Sequence, residues 1–382
     1  MLRAHGAAAG ALVIGLSACI LDNPGFTTGL AATATDGTTT GTSTTTEGGS
    51  TTTTTGGEST SITTGIETTT TTTTDGTTTT TTTTTTGEPE DCWGLDPDVW
   101  VVEKIDDASL GQNPRSVRIS PDGLSIVYIA EFGGKPRPHG ATRASLDDPF
   151  LVGAPMAEWE LLATGVDHPA LSVDLDELFL SGTGMDANDI VVSVLNGGDW
   201  TVPTPVTGVA SGEAERTPSL SESGARLVHS RLVGPPQPYL GSPASWRFYE
   251  AKRPIGSAPG TGFDSFTPVV LPGLTDDVYA HVFECPTISP DGLRLFFGSS
   301  YPTVLDPNNA SDALKMYVSE RAGVNAPWGA PVEIPSLKAA TWQLCPQAIT
   351  RDGCQMTFAR FKFPPDPNEP DPVQPFLARR GP

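Results

Sequence analysis

One unit recurs five times in this chain: an apolar residue, a Ser or Thr, a turn sequence, then large apolar residues in alternation. Aligned on the Ser or Thr, the units read RISPDGLSIVYIA at Ser120, ALSVDLDELFLSG at Ser172, SLSESGARLVHSR at Ser221, TISPDGLRLFFGS at Ser289 and AITRDGCQMTFAR at Thr350. Ile119, Leu171, Leu220, Ile288 and Ile349 precede the hydroxyl residue. Six and eight residues after it stand Ile126 and Tyr128, Leu178 and Leu180, Leu227 and His229, Leu295 and Phe297, Met356 and Phe358. Positions two apart share one face of a strand, so each unit predicts a β-hairpin. Asp-Gly marks its turn, because Gly accepts a positive φ and Asp can bond nearby amides. Unit two has Leu175 in place of the Gly, and unit three has Ser223 in place of the Asp.

The spacings are 52, 49, 68 and 61 residues, a recurrence that predicts an array or propeller rather than a sandwich. Each interval carries two further strand-like runs, such as KMYVSER and WGAPVEIP after Ser289, or WRFYEAKR and FTPVVLPGL after Ser221. One unit is therefore four antiparallel strands, a to d, which is one propeller blade. After Thr350 the chain offers only three strands, while a lone strand, VWVVEKI from Val99, precedes Ser120. The 32 residues from Thr350 to the end and the 22 from Asp98 to Ser120 together make 54, matching the other spacings. The expectation is an all-β domain, a five-bladed β-propeller closed by the N-terminal strand, which leaves no open sheet edge. Six blades, with a degenerate unit inside the 68-residue interval, is the alternative.

The runs ISPDG at Ile119 and Ile288, FFGSS at Phe296, YVSER at Tyr317 and WGAPVEI at Trp328 resemble the TolB-like family of propeller repeats, relatives of the WD-repeat propellers. The resemblance extends from Asp96 to Gly381 and implies a propeller serving as scaffold, binder or enzyme appendage, so it constrains fold more than activity.

The chain opens MLRAHGAAAGALVIGLSAC, with Arg3 before an apolar run from Ala7 to Leu16. This reads as a secretory signal, residues 1–18, too short for a membrane span. Leu16-Ser17-Ala18-Cys19 resembles a bacterial lipobox, which implies cleavage before Cys19 and acylation of its thiol. Membrane contact is then expected through the lipid anchor only, on the outer membrane, the cell surface or the periplasmic side. Residues 19–91 are dominated by Thr, with Gly, Ser and a few acids, and no apolar period. Such a segment buries too little surface to offset its ordering entropy, so a disordered stalk is expected, with a stacked β form as the alternative. Residues 92–382 form the propeller. The net charge of −22 excludes a nucleic-acid partner, whose phosphates need Lys and Arg, and disfavours an anionic membrane surface.

Beyond Cys19, four cysteines remain in an exported chain: Cys92, Cys285, Cys345 and Cys354. Cys92 precedes the closing strand and Cys354 lies at the a–b turn of the same blade, so these two are expected to clasp the ring. Cys285 and Cys345 precede Pro at the start of strand a in consecutive blades and are the other expected pair, if the inner strands approach closely enough. A zinc site is the rival reading, without a CxxC to support it.

Connections a–b and c–d lie on one face of a propeller, and b–c and d–a on the other. Long, Pro-rich b–c connections are expected from Glu131, Leu232, Ser300 and Phe361. Long loops on a rigid scaffold favour recognition. The d–a loops carry Asp106, Asp107, Glu213, Glu215, Asp276, Asp277 and Glu284. These acids could ring the channel mouth, where they would offer oxygen ligands to Ca²⁺, or serve as a glycosidase pair, or be solvated loop acids. No organic cofactor is expected, and no catalytic residue is assigned. His139, His168, His229 and His281 form no HExxH motif; His229 occupies the slot of Phe297 and is expected to be packed. Trp246 and Trp328 are expected to pack within blades. The expected function is that of a monomeric, non-enzymatic binding or scaffold module whose partner is an envelope protein or a glycan. The alternatives are a carbohydrate-active enzyme or lectin, and a TolB-like component of an envelope complex.

Overall fold

The computed structural model describes residues 66–74, 77–85 and, apart from short stretches between strands, 91–380. In the Thr-rich segment, β1 (Ile66–Thr74) and β2 (Thr77–Thr85) pair antiparallel from Ile66 opposite Thr85 to Thr74 opposite Thr77. β-Branched Thr favours extended backbone, and Asp75-Gly76 between the runs is a two-residue hairpin signal.

The remaining strands form five sheets. The first strand of this region, β3 (Val101–Lys104), is set aside by the chain until the end. Blade one is β4 (Gln112–Ile119), β5 (Ser125–Phe132), β6 (Lys135–Thr142) and β7 (Ala154–Pro155), paired in that order. Blade two is β8 (Val166–Leu171), β9 (Glu177–Gly182) and β10 (Ile190–Asn196), with the short β11 (Asp199–Trp200) and β12 (Thr204–Pro205) both on β10. Blade three is β13 (Glu215–Leu220), β14 (Arg226–Leu232), β15 (Trp246–Lys252) and β16 (Thr267–Pro268). Blade four is β17 (Phe283–Ile288), β18 (Arg294–Ser299), β19 (Lys315–Glu320) and β20 (Val332–Glu333). Blade five is β21 (Trp342–Ile349), β22 (Gln355–Lys362) and β23 (Val373–Arg379), completed by β3, which pairs with β23 from Lys104 opposite Phe376 to Val101 opposite Arg379. The protein is a five-bladed β-propeller closed by its N-terminal strand.

Each strand b is apolar on both faces because each blade is packed between two others. In β5, Ile126 and Tyr128 face blade five and cluster with Leu377, while Val127 and Ile129 face blade two and cluster with Leu178 and Leu180. Further clusters join blades two and three, three and four, and four and five, so the core is a ring of interfaces. His229 is fully buried in this wall, stacked on Tyr249 and edge-on to Phe266, and burial, with Arg231 adding to it, pushes its pKa down to about 3.

The a–b turns of four blades share one hydrogen-bond pattern. The Ser or Thr hydroxyl accepts the amide five residues on: Ser125 N–H at 2.9 Å, Glu177 at 2.9 Å, Arg294 at 2.9 Å and Gln355 at 3.0 Å. Asp122, Asp291 and Asp352 each accept an amide two residues on. The fourth turn position is left-handed in all five turns, at Gly123, Gly224, Gly292, Gly353 and also Leu175, with φ of 58°. A second repeated device joins turn to strand c: Arg143, Arg253 and Arg321 donate from Nε to the carbonyls of Gly123, Gly224 and Gly292. Each guanidinium also lies over an aromatic ring of strand d or the loop before it, Phe150, Phe263 and Trp328. Across the blade boundary they reach Gln355, Glu177 and Glu250 respectively. In the last blade Arg380 lies over Trp100, next to β3, so the N-terminal segment supplies the ring that Trp328 supplies in blade four.

One connection differs from expectation. The Pro-rich run from Glu131 in blade one is a strand: β6 pairs with β5 down to Phe132 opposite Lys135, leaving only Gly133 and Gly134 between them. Pro136 and Pro138 are tolerated because β7 pairs only with His139 and Gly140, so the first half of β6 is a sheet edge. The other three long b–c connections lie largely outside the described residues.

Candidate functional site at the channel mouth

The inner strand of every blade breaks register shortly before its turn, at one position in the first four blades and at Gln347 in the fifth. Pairing shifts between Arg115 and Arg118, Asp167 and Ala170, Arg216 and Ser219, Glu284 and Thr287, and Pro346 and Ala348. The bulged residue, four before the turn hydroxyl, is Ser116, His168, Thr217 or Cys285 in the first four blades, with φ of 52°, 49°, 56° and 57°. None is Gly, and a non-Gly residue there costs about 1–2 kcal/mol. In the fifth blade the equivalent residue is Pro346, whose ring excludes a positive φ. Bulges turn a strand and re-aim its side chains. Here they aim the bulged residue and the one before it into the channel, around a cavity of about 180 Å³.

The residues five before the turn hydroxyl are Arg115, Asp167, Arg216, Glu284 and Cys345: equivalent in backbone position and unlike in chemistry. Arg216 Nη2 donates to Glu284 Oε1 at 2.9 Å, and its guanidinium lies 3.7 Å from the ring centroid of Trp246. Trp246 opens strand c, so this mouth opens on the b–c face. Asp167 accepts hydrogen bonds from Ser116 Oγ at 2.5 Å and from the His168 amide at 2.9 Å, with Arg115 Nε at 3.9 Å. Burial raises the Asp167 pKa, but His168, Arg115 and these hydrogen bonds outweigh it and hold the carboxyl below its ordinary value. Burial brings the His168 imidazole down to about 4; Asp167 opposes this and Arg216, Arg118 and Arg115 reinforce it. The imidazole is therefore neutral at pH 7.

Cys285 is bonded to Cys345 in the wall of this mouth, and Cys92 to Cys354 at the closure. The bulge at Cys285 brings the inner strands of blades four and five close enough, with Cα atoms 5.3 Å apart. His168, Cys285 and Cys345 offer ligand atoms within 4.8 Å of one another, yet both sulfurs are committed to the disulfide, which leaves no thiolate for a metal. Two disulfides fit an oxidising, extracytoplasmic setting.

Of the acids predicted for the mouth, Glu284 lines it. Glu213 is exposed and outside the cavity, and Glu215 is fully buried in the blade wall beside Arg231 and Ser211. Burial, with Asp189 adding to it against the Ser211 hydrogen bonds, pushes Glu215 up to about 7. Asp106, Asp107, Asp276 and Asp277 lie outside the described residues, as does Cys19. Arg115, Asp167 and Arg216 were not singled out from the sequence, and His168 was named there only as a histidine outside any metal motif. The signal was present: five residues before each turn hydroxyl stand two cations, two anions and a Cys.

No protein-family model matches this chain, and no curated protein matches it in sequence. Solved structures with a similar fold include a putative TolB from Agrobacterium tumefaciens, at 14% identity and a TM-score of 0.40, covering 73% of this chain and 83% of that one. A putative glycoside hydrolase from Parabacteroides distasonis has 13% identity and a TM-score of 0.45, covering 76% and 96%. An alpha-L-arabinofuranosidase from Podospora anserina, solved with cellotriose, has 12% identity and a TM-score of 0.43, covering 74% and 95%. At these identities and scores no activity transfers to this chain, and the fold stands on its own strand pairing.

Proposed function

We propose that this protein is an extracytoplasmic binding module, non-enzymatic, that captures a polar ligand at the channel mouth on the face of the b–c connections. On this reading Cys19 carries the lipid that holds the domain at a membrane, and the ligand is an envelope protein segment or a glycan. The observation that carries the proposal is the set of unlike charges just before the bulges of four blades, at one backbone position. A purely structural bulge has no use for Arg115, Asp167, Arg216 and Glu284 at the same backbone position. Both carboxylates are engaged by arginines, an arrangement suited to exchanging hydrogen bonds with a ligand. Calorimetric titration of the propeller with a glycan panel and with Ca²⁺ tests it. A hit in the wild type should weaken at least tenfold in Arg216→Ala and in Glu284→Gln while the fold persists; binding indifferent to both changes would remove the mouth from recognition.

A carbohydrate-active enzyme is the second reading, favoured by two carboxylates, Asp167 and Glu284, on one cavity. Against it, Arg115 and the hydrogen bonds from Ser116 and the His168 amide favour the ionised form of Asp167, which disqualifies it as a proton donor near neutrality. Turnover of aryl glycosides that disappears in Glu284→Gln would establish the enzyme instead.

A further inference from the structure

Deeper in the channel, two residues before each turn hydroxyl, stand Arg118, Ala170, Ser219, Thr287 and Ala348. Four are small and one is a long cation, so Arg118 occupies space that the other four blades leave open. It is only 6% exposed. Its Nη1 donates to the Gln347 carbonyl at 2.5 Å, across the boundary between blades one and five. Its Nε–H has no partner, although it is sealed from solvent. The side chain of Gln347, 2% exposed, likewise leaves Oε1 without a partner. Both residues line a cavity of about 60 Å³ at the turn end of the inner strands, beside Ser120 and Ser221, and Gln347 lines the mouth cavity as well.

The charges do not balance here. Arg115 faces Asp167 and Arg216 faces Glu284, whereas Arg118 makes no ion pair among the described residues. Burying a cation without a partner costs several kcal/mol, and burial has already drawn the Arg118 guanidinium down to about 9 against the pull of Asp167. A bound anion would remove that cost. The cavity is too small for a sugar ring and large enough for a halide or one carboxylate group. Turning the Gln347 amide over keeps its shape and presents N–H in place of Oε1, so that both residues lining this cavity carry an unpartnered donor.

We propose that Arg118 and Gln347 form an anion-binding floor of the channel that takes a small anion or the carboxylate end of a ligand entering through the mouth. The site stands on its own geometry; only the entry route rests on the mouth being the recognition surface.

Three probes test it in a buffer without other small anions: bromide, formate, and D-glucuronate, whose carboxylate sits on a hydroxylated body. Bromide soaked into crystals should give an anomalous peak beside Arg118 Nε, a reading that needs no variant. Formate should raise the thermal midpoint saturably. Arg118→Met should abolish that response and at the same time raise the midpoint of the anion-free protein, because an unpaired buried charge is gone. A merely structural arginine would lower it. If glucuronate binds at least tenfold tighter than formate and Arg216→Ala removes only that excess, the anion is part of a larger ligand. If formate and bromide bind and glucuronate does not, the site holds a free ion and the mouth reading fails separately. No bromide peak together with no saturable formate response, or a response that survives in Arg118→Met, overturns the proposal.

Discussion

The two ends of the inner strands obey opposite rules. At the turn end, the hydroxyl accepts the same amide in four blades, and a left-handed residue follows it three positions on in all five. Four or five residues earlier, the backbone is again repeated, down to a bulge in every blade, but the side chains share nothing: Arg, Asp, Arg, Glu and Cys. Uniform residues at equivalent positions serve what every blade needs, which is a closed turn. Unlike residues at equivalent positions serve something only the assembled ring has, a central cavity with one contribution from each blade. The strain of four left-handed non-Gly residues is tolerated at the second end and avoided at the first in four turns of five, where Gly takes the position.

The two disulfides divide along the same line, and removing them gives the largest expected difference. Cys92–Cys354 spans a sequence separation of 262 and joins the closing segment to a turn. Cys92→Ser with Cys354→Ser should lower stability by about 2–5 kcal/mol, read as a reduced denaturant midpoint, while ligand affinity at the mouth is kept. Cys285→Ser with Cys345→Ser should cost less, since the loop it closes is shorter at 60 residues, yet weaken mouth binding by relaxing the bulge beside Glu284. Equal losses of stability with affinity untouched in both would erase the distinction between a clasp and a site.

Acid titration separates a wall histidine from a mouth histidine. His229 is neutral in the fold until pH falls to about 3, whereas an unfolded chain takes up that proton near 6.5. Its folded pKa is the lower one, so stability is intact above 6.5 and falls as pH drops through that window, by about 2 kcal/mol at pH 5. His229→Phe should flatten this decline, since both imidazole nitrogens lack partners and Phe297 already fills the equivalent slot in blade four. His168 loses stability in the same direction between 6.5 and about 4, but its substitution by Asn should be felt in binding. Glu215 works with the opposite sign: its folded pKa is the higher one, so its contribution is present below about 4.5 and lost as pH rises through about 7. Glu215→Gln should therefore make the protein more stable at pH 8.

What was legible in the sequence follows from the same contrast. Ser120, Ser172, Ser221, Ser289 and Thr350 align by eye because identical local physics demands them, and blade number and closure follow from their spacing. His229 was legible as packed because the other units put Tyr128, Leu180, Phe297 and Phe358 in its place. The bulges were not legible, because a register shift is a property of two paired strands and the bulged residues are Ser116, His168, Thr217, Cys285 and, in blade five, Gln347, with no Gly to mark them. The mouth charges were overlooked for a related reason: unlike residues do not align as a repeat. β6 was mistaken for a loop because Pro136 and Pro138 suppress a strand reading, although Gly133-Gly134 is a hairpin signal. The pairing of Arg143, Arg253 and Arg321 with rings in Phe150, Phe263 and Trp328 was hidden because the ring is Phe in two blades and Trp in the third, and stands further along the chain in blade three than in the other two.

The sharpest small test lies within one strand. Ser116 and Ser120 are four residues apart in blade one, one at the bulge and one at the turn. Ser120 Oγ accepts the Ser125 amide at 2.9 Å, so Ser120→Ala leaves that donor without its side-chain partner and should cost about 1 kcal/mol. Ser116→Gly acts on two quantities at once. It relieves a left-handed φ of 52°, a gain of about 1 kcal/mol, and it removes the hydroxyl that donates to Asp167. The gain should be trimmed by the extra entropy of Gly in the unfolded chain, leaving stability level or slightly raised. Mouth binding should still fall, because Asp167 loses a partner that fixes its position 2.5 Å away. Stability and affinity then move together in neither variant: the turn serine changes the first alone, the bulge serine the second. A Ser116→Gly protein that is clearly less stable, with binding intact, would show that the bulge holds the blade together and that its strain has no functional counterpart.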